Sequence, residues 1–244
     1  MSKKVINQKA NYSAEMLNSI EPNFTFQSKP INRTNKNTYI HKKNDIKDNK
    51  NKEDQLAILK KQISSIKDCK LKNNSKKIIL GDGDINSPIM LIGEAPGADE
   101  DELGQTFAGE VGNLLEKMLY ANNIKINKIY TSYAVNFRPP DDRKPSSSEI
   151  RRYSQFLQKH ISIISPKIII LMGATAMESL TGLTTQISRE RGKWKEVIIF
   201  NKSYDVIITF NPSYLLRVPE NKKYSWEDLK EIKKRIDKID FNIK

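Results

Sequence analysis

The chain has 244 residues, with 42 Lys and Arg against 29 Asp and Glu, for a net charge of +13. That length suits one substantial domain or a domain with an appendage, and the charge points either to a polyanion such as nucleic acid or to a lysine-rich proteome. A single cysteine, Cys69, excludes an internal disulfide framework and an all-cysteine metal site; no apolar run reaches membrane-span length and no secretory-type apolar segment opens the chain, so a reducing cytoplasm is expected.

Residues 1–50 hold ten Lys/Arg and four Asp/Glu, with many Asn and no apolar period, and read as a disordered basic tail. A solvated tail is the simpler reading; non-specific attraction to DNA is the other. The folded domain is expected over residues 51–244. Leu56, Leu59, Ile63 and Ile66 recur at helical spacing. "PIMLIG" (Pro88–Gly93) reads as a buried strand ending in a glycine turn. Leu114, Leu115, Met118 and Leu119 mark a helix, and "KIYTSYAV" (Lys128–Val135) a second strand. Ser146 and Glu149 form a capping box opening a helix whose apolar face is Ile150, Tyr153, Leu157, Ile161 and Ile164. "KIIILMG" (Lys167–Gly173) is a third strand and "ATAMESL" a helix. "EVIIF" and "DVIITF" are further strands, and "SWEDLKEIKKRIDKI" a last helix. Continuous Ile-rich strands alternating with helices predict a three-layer α/β/α sandwich around a mainly parallel sheet, with ligands at the carboxyl ends of the strands.

Three loops occupy those ends: "GEAPGADEDELGQTFAG", "NFRPPDDRKP" and "NPSYLLR". In the first, Gly93, Pro96 and Gly97 make a tight turn that admits a ligand close to the backbone. Glu94, Asp99, Glu100, Asp101 and Glu102 follow, an unexpected concentration of carboxylates in so basic a chain. Local physics leaves two readings open: an acidic helix start favoured by the macrodipole, or carboxylates that hold a metal or orient a water.

"GEAPGADEDELGQTFAGEVGNLL" resembles motif 1 of the family 4 uracil-DNA glycosylases. "NFRPPDDRKPSSSEI", "PKIIILMGATAMESL", "ISRERGKW" and "NPSYLLRVPENKKYSWEDLK" resemble their later segments in order, so the likeness runs from about Glu53 to Lys238. It implies the four-stranded parallel sheet of that fold, DNA with a deaminated base as partner, and action as a monomer. It also implies that the Gly93–Gly97 turn, with Ala95 and Pro96, contacts a flipped base. Phe107 stacks on that base, and Glu100 handles the attacking water with support from Glu94. Tyr214 or Leu215 enters the duplex, Arg217 meets a phosphate beside Ser213, and Arg189, Arg191, Lys193, Arg143 and Lys144 are further phosphate contacts. Each basic residue reads equally as a solvated surface charge.

Three departures from that family pattern stand out. Of four cysteine positions that hold an iron–sulfur cluster only Cys69 remains, matched by Ile66, Phe137 and Tyr153, so no cofactor and no metal are expected. Tyr133 stands where an asparagine reads the uracil edge, and a phenol lacks that donor–acceptor fork. Asn211 stands where a histidine donates to the uracil oxygen. The remaining histidines, His41 and His160, lie in the tail and on a helix. The expected activity is hydrolysis of the N-glycosidic bond of uracil or another deaminated base. The alternative is a weakened or inactive DNA-binding descendant.

Overall fold

The computed structural model describes residues 52–239, which fall within the second of the two units, 1–48 and 49–244, into which the chain divides. The expectation for the tail lies outside the described residues. In chain order the elements are α1 (Lys52–Ser64), α2 (Lys70–Asn74), β1 (Gly81–Gly83), β2 (Ile89–Gly93), α3 (Ala98–Leu103), α4 (Gly109–Tyr120), β3 (Tyr130–Tyr133), α5 (Ser147–Ile164), β4 (Ile168–Met172), α6 (Ala174–Thr181), α7 (Ile187–Glu190), β5 (Trp194–Ile199), β6 (Lys202–Thr209), α8 (Pro212–Arg217) and α9 (Lys222–Ile236).

The sheet runs in the order β1-β3-β2-β4-β6-β5. Its four central strands are parallel, as expected, but it has six strands rather than four. β1 and β5 close the two edges in antiparallel register. β1 is Gly-Asp-Gly, too short and too poor in apolar residues to signal a strand. β5 folds back on β6 through Phe200 and Asn201, both at positive φ (47° and 65°), the conformation of a tight two-residue hairpin.

Because strand side chains alternate, each Ile-rich strand feeds two cores. Met90, Ile92, Ile169, Leu171, Val206 and Ile208 pack on one face with Leu56 of α1, Leu157, Ile161 and Ile164 of α5, and Met177 and Leu180 of α6. Ile89, Leu91, Ile168, Ile170 and Ile207 pack on the other with Leu115 and Leu119 of α4 and Leu229, Ile232 and Ile236 of α9. The three-layer sandwich follows directly from this division. The capping box forms as read: Glu149 accepts from the Ser146 N–H at 2.8 Å, and the Ser146 side chain accepts from the Glu149 N–H.

A third core joins Leu59 and Ile63 of α1, Cys69, Leu71 of α2, Val135, Phe137 and Tyr153 of α5. α1 stops at Ser64, so Ile66 reaches this cluster from a turn, not from the helix face that its spacing suggested.

Candidate active site

β2, β3, β4 and β6 all end on one side of the sheet, and the segments leaving them surround a cleft of ≈ 1050 Å³. At its floor the Glu94 carboxylate accepts the Thr175 N–H on Oε1 at 2.9 Å and the Asn211 Nδ2–H on Oε2 at 3.1 Å. Thr175 lies in the first turn of α6, where free N–H groups and the helix dipole favour an anion. Gly173 precedes that helix at φ 104°, and any side chain there would collide with the Glu94 carboxyl group. The carboxylate is thus fixed by segments from three strands.

Asn211 has two tasks. It caps α8, its Oδ1 accepting the Ser213 N–H (3.0 Å) and the Ser213 hydroxyl (3.1 Å), and its Nδ2 holds Glu94. These partners fix the amide orientation, since only oxygen accepts and only nitrogen donates. One amide hydrogen engages Glu94, and Asn211 lines the cleft.

Glu100 also lines the cleft and is 5 % exposed. Its Oε2 accepts the Gly97 N–H at 2.9 Å and its Oε1 the Ala108 N–H at 3.1 Å. A carboxylate offers about four acceptor positions, so capacity remains for a further donor. The rest of the acidic run separates by role. Asp101 is buried and accepts from Ser75 Oγ (2.6 Å), Lys76 N–H (2.9 Å) and Lys77 N–H (3.1 Å), tying α3 to the preceding loop. Glu102 pairs with Lys76, and Asp99 is exposed at the cleft.

Ala95, Pro96 and Gly97 line the cleft, whereas Gly93 and Phe107 lie buried behind Tyr133. The Tyr133 and Phe107 rings sit 5.0 Å apart at 36°, and Tyr133 Oη accepts the Phe107 N–H at 2.8 Å. Burial, and secondarily the negative Glu100 nearby, pushes the Tyr133 phenol well above its ordinary pKa and keeps it protonated.

The loop after β6 is arranged differently from its sequence expectation. Leu215 is fully buried, so it cannot enter a duplex as the loop stands; the exposed leucine is Leu216, at 36 %. Tyr214 stacks near Phe210 (5.1 Å), and its hydroxyl accepts from Asn221 Nδ2 at 2.7 Å. Adjacent residues on a helix point about 100° apart, so only one of the two leucines faces the core.

The basic residues also divide. Arg217, Lys144 and Arg189 are exposed, and Lys193 is exposed with its ammonium on the Arg189 carbonyl at 2.8 Å. Arg143 is exposed but forms a two-pronged pair with Glu149 at 2.8 and 2.7 Å. Arg191 is committed inward: its guanidinium meets Asp228 at 2.6 and 3.0 Å and lies over the Tyr224 ring at 5.1 Å. Asp228 is 1 % exposed, and burial pushes its carboxyl upward against the pull of Thr209 and Arg191. Arg191 is therefore an internal counterion on the cleft wall, which the charge pattern of "ISRERGKW" did not reveal. Thr175, which holds Glu94, and Gly173, which leaves it room, are not evident from the sequence either. Their only sequence signal is a strand ending in glycine before a helix.

The profile of the uracil DNA glycosylase superfamily matches residues 80–232, a span that contains every cleft-lining residue. The chain belongs to that superfamily. It is similar to the type-4 uracil-DNA glycosylase of Thermotoga maritima, 33 % identical over 190 residues, 77 % of this chain and 97 % of that protein. The enzymes of the same name from Archaeoglobus fulgidus (31 % over 176 residues, 70 % of this chain and 88 % of that protein) and Sulfurisphaera tokodaii (32 % over 192 residues, 74 % and 84 %) are similar too.

The iron–sulfur cluster implied by the family-4 likeness needs four thiolates, and this superfamily member has one cysteine. Cys69 Sγ lies 3.2 Å from the Tyr153 hydroxyl, and the Phe137 ring meets Tyr153 edge-on at 6.3 Å. Among the described residues no group of three or more His, Cys, Asp or Glu side chains is placed to hold a metal ion. The residues present do not fit that cluster.

Proposed function

We propose that the chain is a DNA glycosylase that hydrolyses the N-glycosidic bond of uracil or another deaminated base in DNA and leaves an abasic site. The observation that carries this reading is the Glu94 carboxylate, anchored by Thr175 and Asn211 at the floor of a cleft rimmed by Arg217, Lys144 and Arg143. DNA supplies phosphates to such a rim, and extruding a base costs about a few kcal/mol, least from a mismatch or a single strand.

The chemistry requires little else. As the C1′–N bond breaks, its electron pair leaves with the base and positive charge develops on the sugar. Glu94 and Glu100 place negative charge beside that centre, and Glu100 has acceptor capacity left to orient the water that adds to C1′ and to take its proton. Asn211 cannot transfer a proton at neutral pH, so the base departs as an anion, stabilised by hydrogen-bond donation. No step needs a metal or a cluster, and we place the chain among catalysts that work without either. The loop's exposed apolar side chain, Leu216, takes the wedge role, with Arg217 on a phosphate.

Oligonucleotides containing U:G, U:A, single-stranded U, hypoxanthine or xanthine test the reading. Alkali-labile abasic sites on at least one of them are expected; none on any would remove it. The Tyr133 ring over Phe107 and Gly93 favours a second reading, a binder of damaged DNA without turnover. In that case Glu100→Ala leaves DNA affinity intact and there is no activity to lose.

A further inference from the structure

Tyr133 lines the cleft, and its ring lies against another buried ring and against the Gly93 backbone at once. A Cβ built on Gly93 would stand 2.7 Å from Tyr133 Cε1 and 2.8 Å from Phe107 Cζ, so both rings rest on that glycine. The Tyr133 oxygen takes the Phe107 N–H at 2.8 Å. Phe107 itself holds a left-handed backbone, φ 49°, which is uncommon for a bulky residue.

A flat ring packed at a tilt of 36° against an aromatic side chain, with an oxygen accepting a main-chain N–H, resembles the contacts that a nucleobase with a carbonyl group makes in a protein pocket. Here the protein's own side chain makes them. Phe107, at 6 % exposure, offers no face to the cleft, and the donor a base carbonyl would use is already engaged. The polar cleft groups nearest the chemistry, Glu94 and Asn211, hold each other. They suit a sugar and one oxygen of a departing base better than the full edge of that base.

We propose that Tyr133 is the specificity gate of this cleft, its ring occupying the base site so that a flipped base gains entry only by displacing it. The protein then selects its nucleotide through sugar, phosphate and ease of extrusion, with little reward from the base itself. This inference rests on the glycosylase reading only for the identity of the ligand.

Two single-stranded oligonucleotides separate the contributions. One carries 2′-fluoro-2′-deoxyuridine, whose electron-withdrawing fluorine slows loss of the base, and the other a tetrahydrofuran abasic analogue. The ratio of their dissociation constants measures what the base contributes. For the unaltered chain the two are expected to agree within about threefold, since stacking on an open aromatic platform would favour the base-bearing strand by about tenfold or more. Tyr133→Ala and Tyr133→Asn vacate the site and should each shift the ratio about tenfold toward the base-bearing strand. Affinity for the abasic strand and the melting midpoint report whether each variant is folded. If one variant fails to fold, the other and the unaltered chain still decide.

A tenfold base preference in the unaltered chain, or an unchanged ratio in the folded variants, overturns the gate. Excision of ordinary deoxyuridine is measured in parallel. A shifted ratio without excision by any form keeps the gate and removes the glycosylase. Excision with a flat ratio does the reverse.

Discussion

The cleft and the cluster around Cys69 lie on the same domain and are built in opposite ways. Around Cys69, positions where the family-4 pattern places metal-binding thiolates carry Ile66, Phe137 and Tyr153, and the space is closed by ring and aliphatic contacts. In the cleft, the carboxylates are held by oriented donors: Glu94 by Thr175 and Asn211, Glu100 by Gly97 and Ala108. The difference teaches that holding the fold together passes readily from a ligand to packing, because any well-filled volume serves. Holding a charge at a reacting carbon does not pass so easily, because it needs oriented donors.

The comparison breaks most sharply at Tyr153. Tyr153→Ala empties a fully buried aromatic site in the packed cluster and is expected to cost about 3–5 kcal/mol of stability in denaturant titrations. Glu94→Ala, in the cleft, should leave stability far less affected. Removing one preorganised group from a reacting centre costs on the order of 3 kcal/mol, so excision should fall about a hundredfold. If the two substitutions have the reverse pattern, the division of labour is wrong.

Asn211→Ala should show both effects at a smaller scale. Loss of the α8 cap costs about 1 kcal/mol, and loss of the Glu94 partner should lower excision more than it lowers binding of an abasic strand. Iron content of protein purified without oxygen should be far below stoichiometric, with no visible cluster absorption. Bound iron at one cluster per chain would contradict the packing around Cys69.

A last expected effect appears only at acid pH and concerns His160, buried between Tyr130 Oη (2.9 Å) and Ser132 Oγ (3.3 Å) and pushed down to about 3 by burial. It is neutral in the fold at neutral pH, while the unfolded chain takes up a proton below about 6.5. Its contribution is therefore complete above that value and is lost as pH falls through the window from about 6.5 to 3, at no more than about 1.4 kcal/mol per pH unit. His160→Gln should flatten the acid limb of stability against pH; an unchanged slope would place the titration elsewhere.

Much of the fold was legible because β2, β4 and the end of β6 are runs of Ile, Leu, Met and Val whose alternation assigns both faces. α5 was legible from its cap and its apolar spacing. β1 was not, since Gly-Asp-Gly carries neither propensity nor pattern, and neither was the hairpin turn, since Phe-Asn lacks the usual Asn-Gly or Asp-Gly signal. In the cleft, the resemblance singled out Glu94, Glu100 and Asn211, and the structure brings all three to one cleft, but their partners were not legible. Thr175 acts through its backbone, which no residue type reveals. Leu215 and Leu216 are identical in type and differ only in helical phase. Arg191 looks like any basic loop residue until Asp228, 37 positions later, is brought against it.

On the proposed reading, Glu94 and Glu100 carry a hydrolytic reaction without a metal. The most direct measurement is abasic-site formation on single-stranded and U:G oligonucleotides by the chain and by Glu100→Ala, with chelator present throughout. Cleavage by the chain, and a loss of about a hundredfold or more in the variant, is the expected result. No cleavage by the chain, or equal cleavage by both forms, would contradict it.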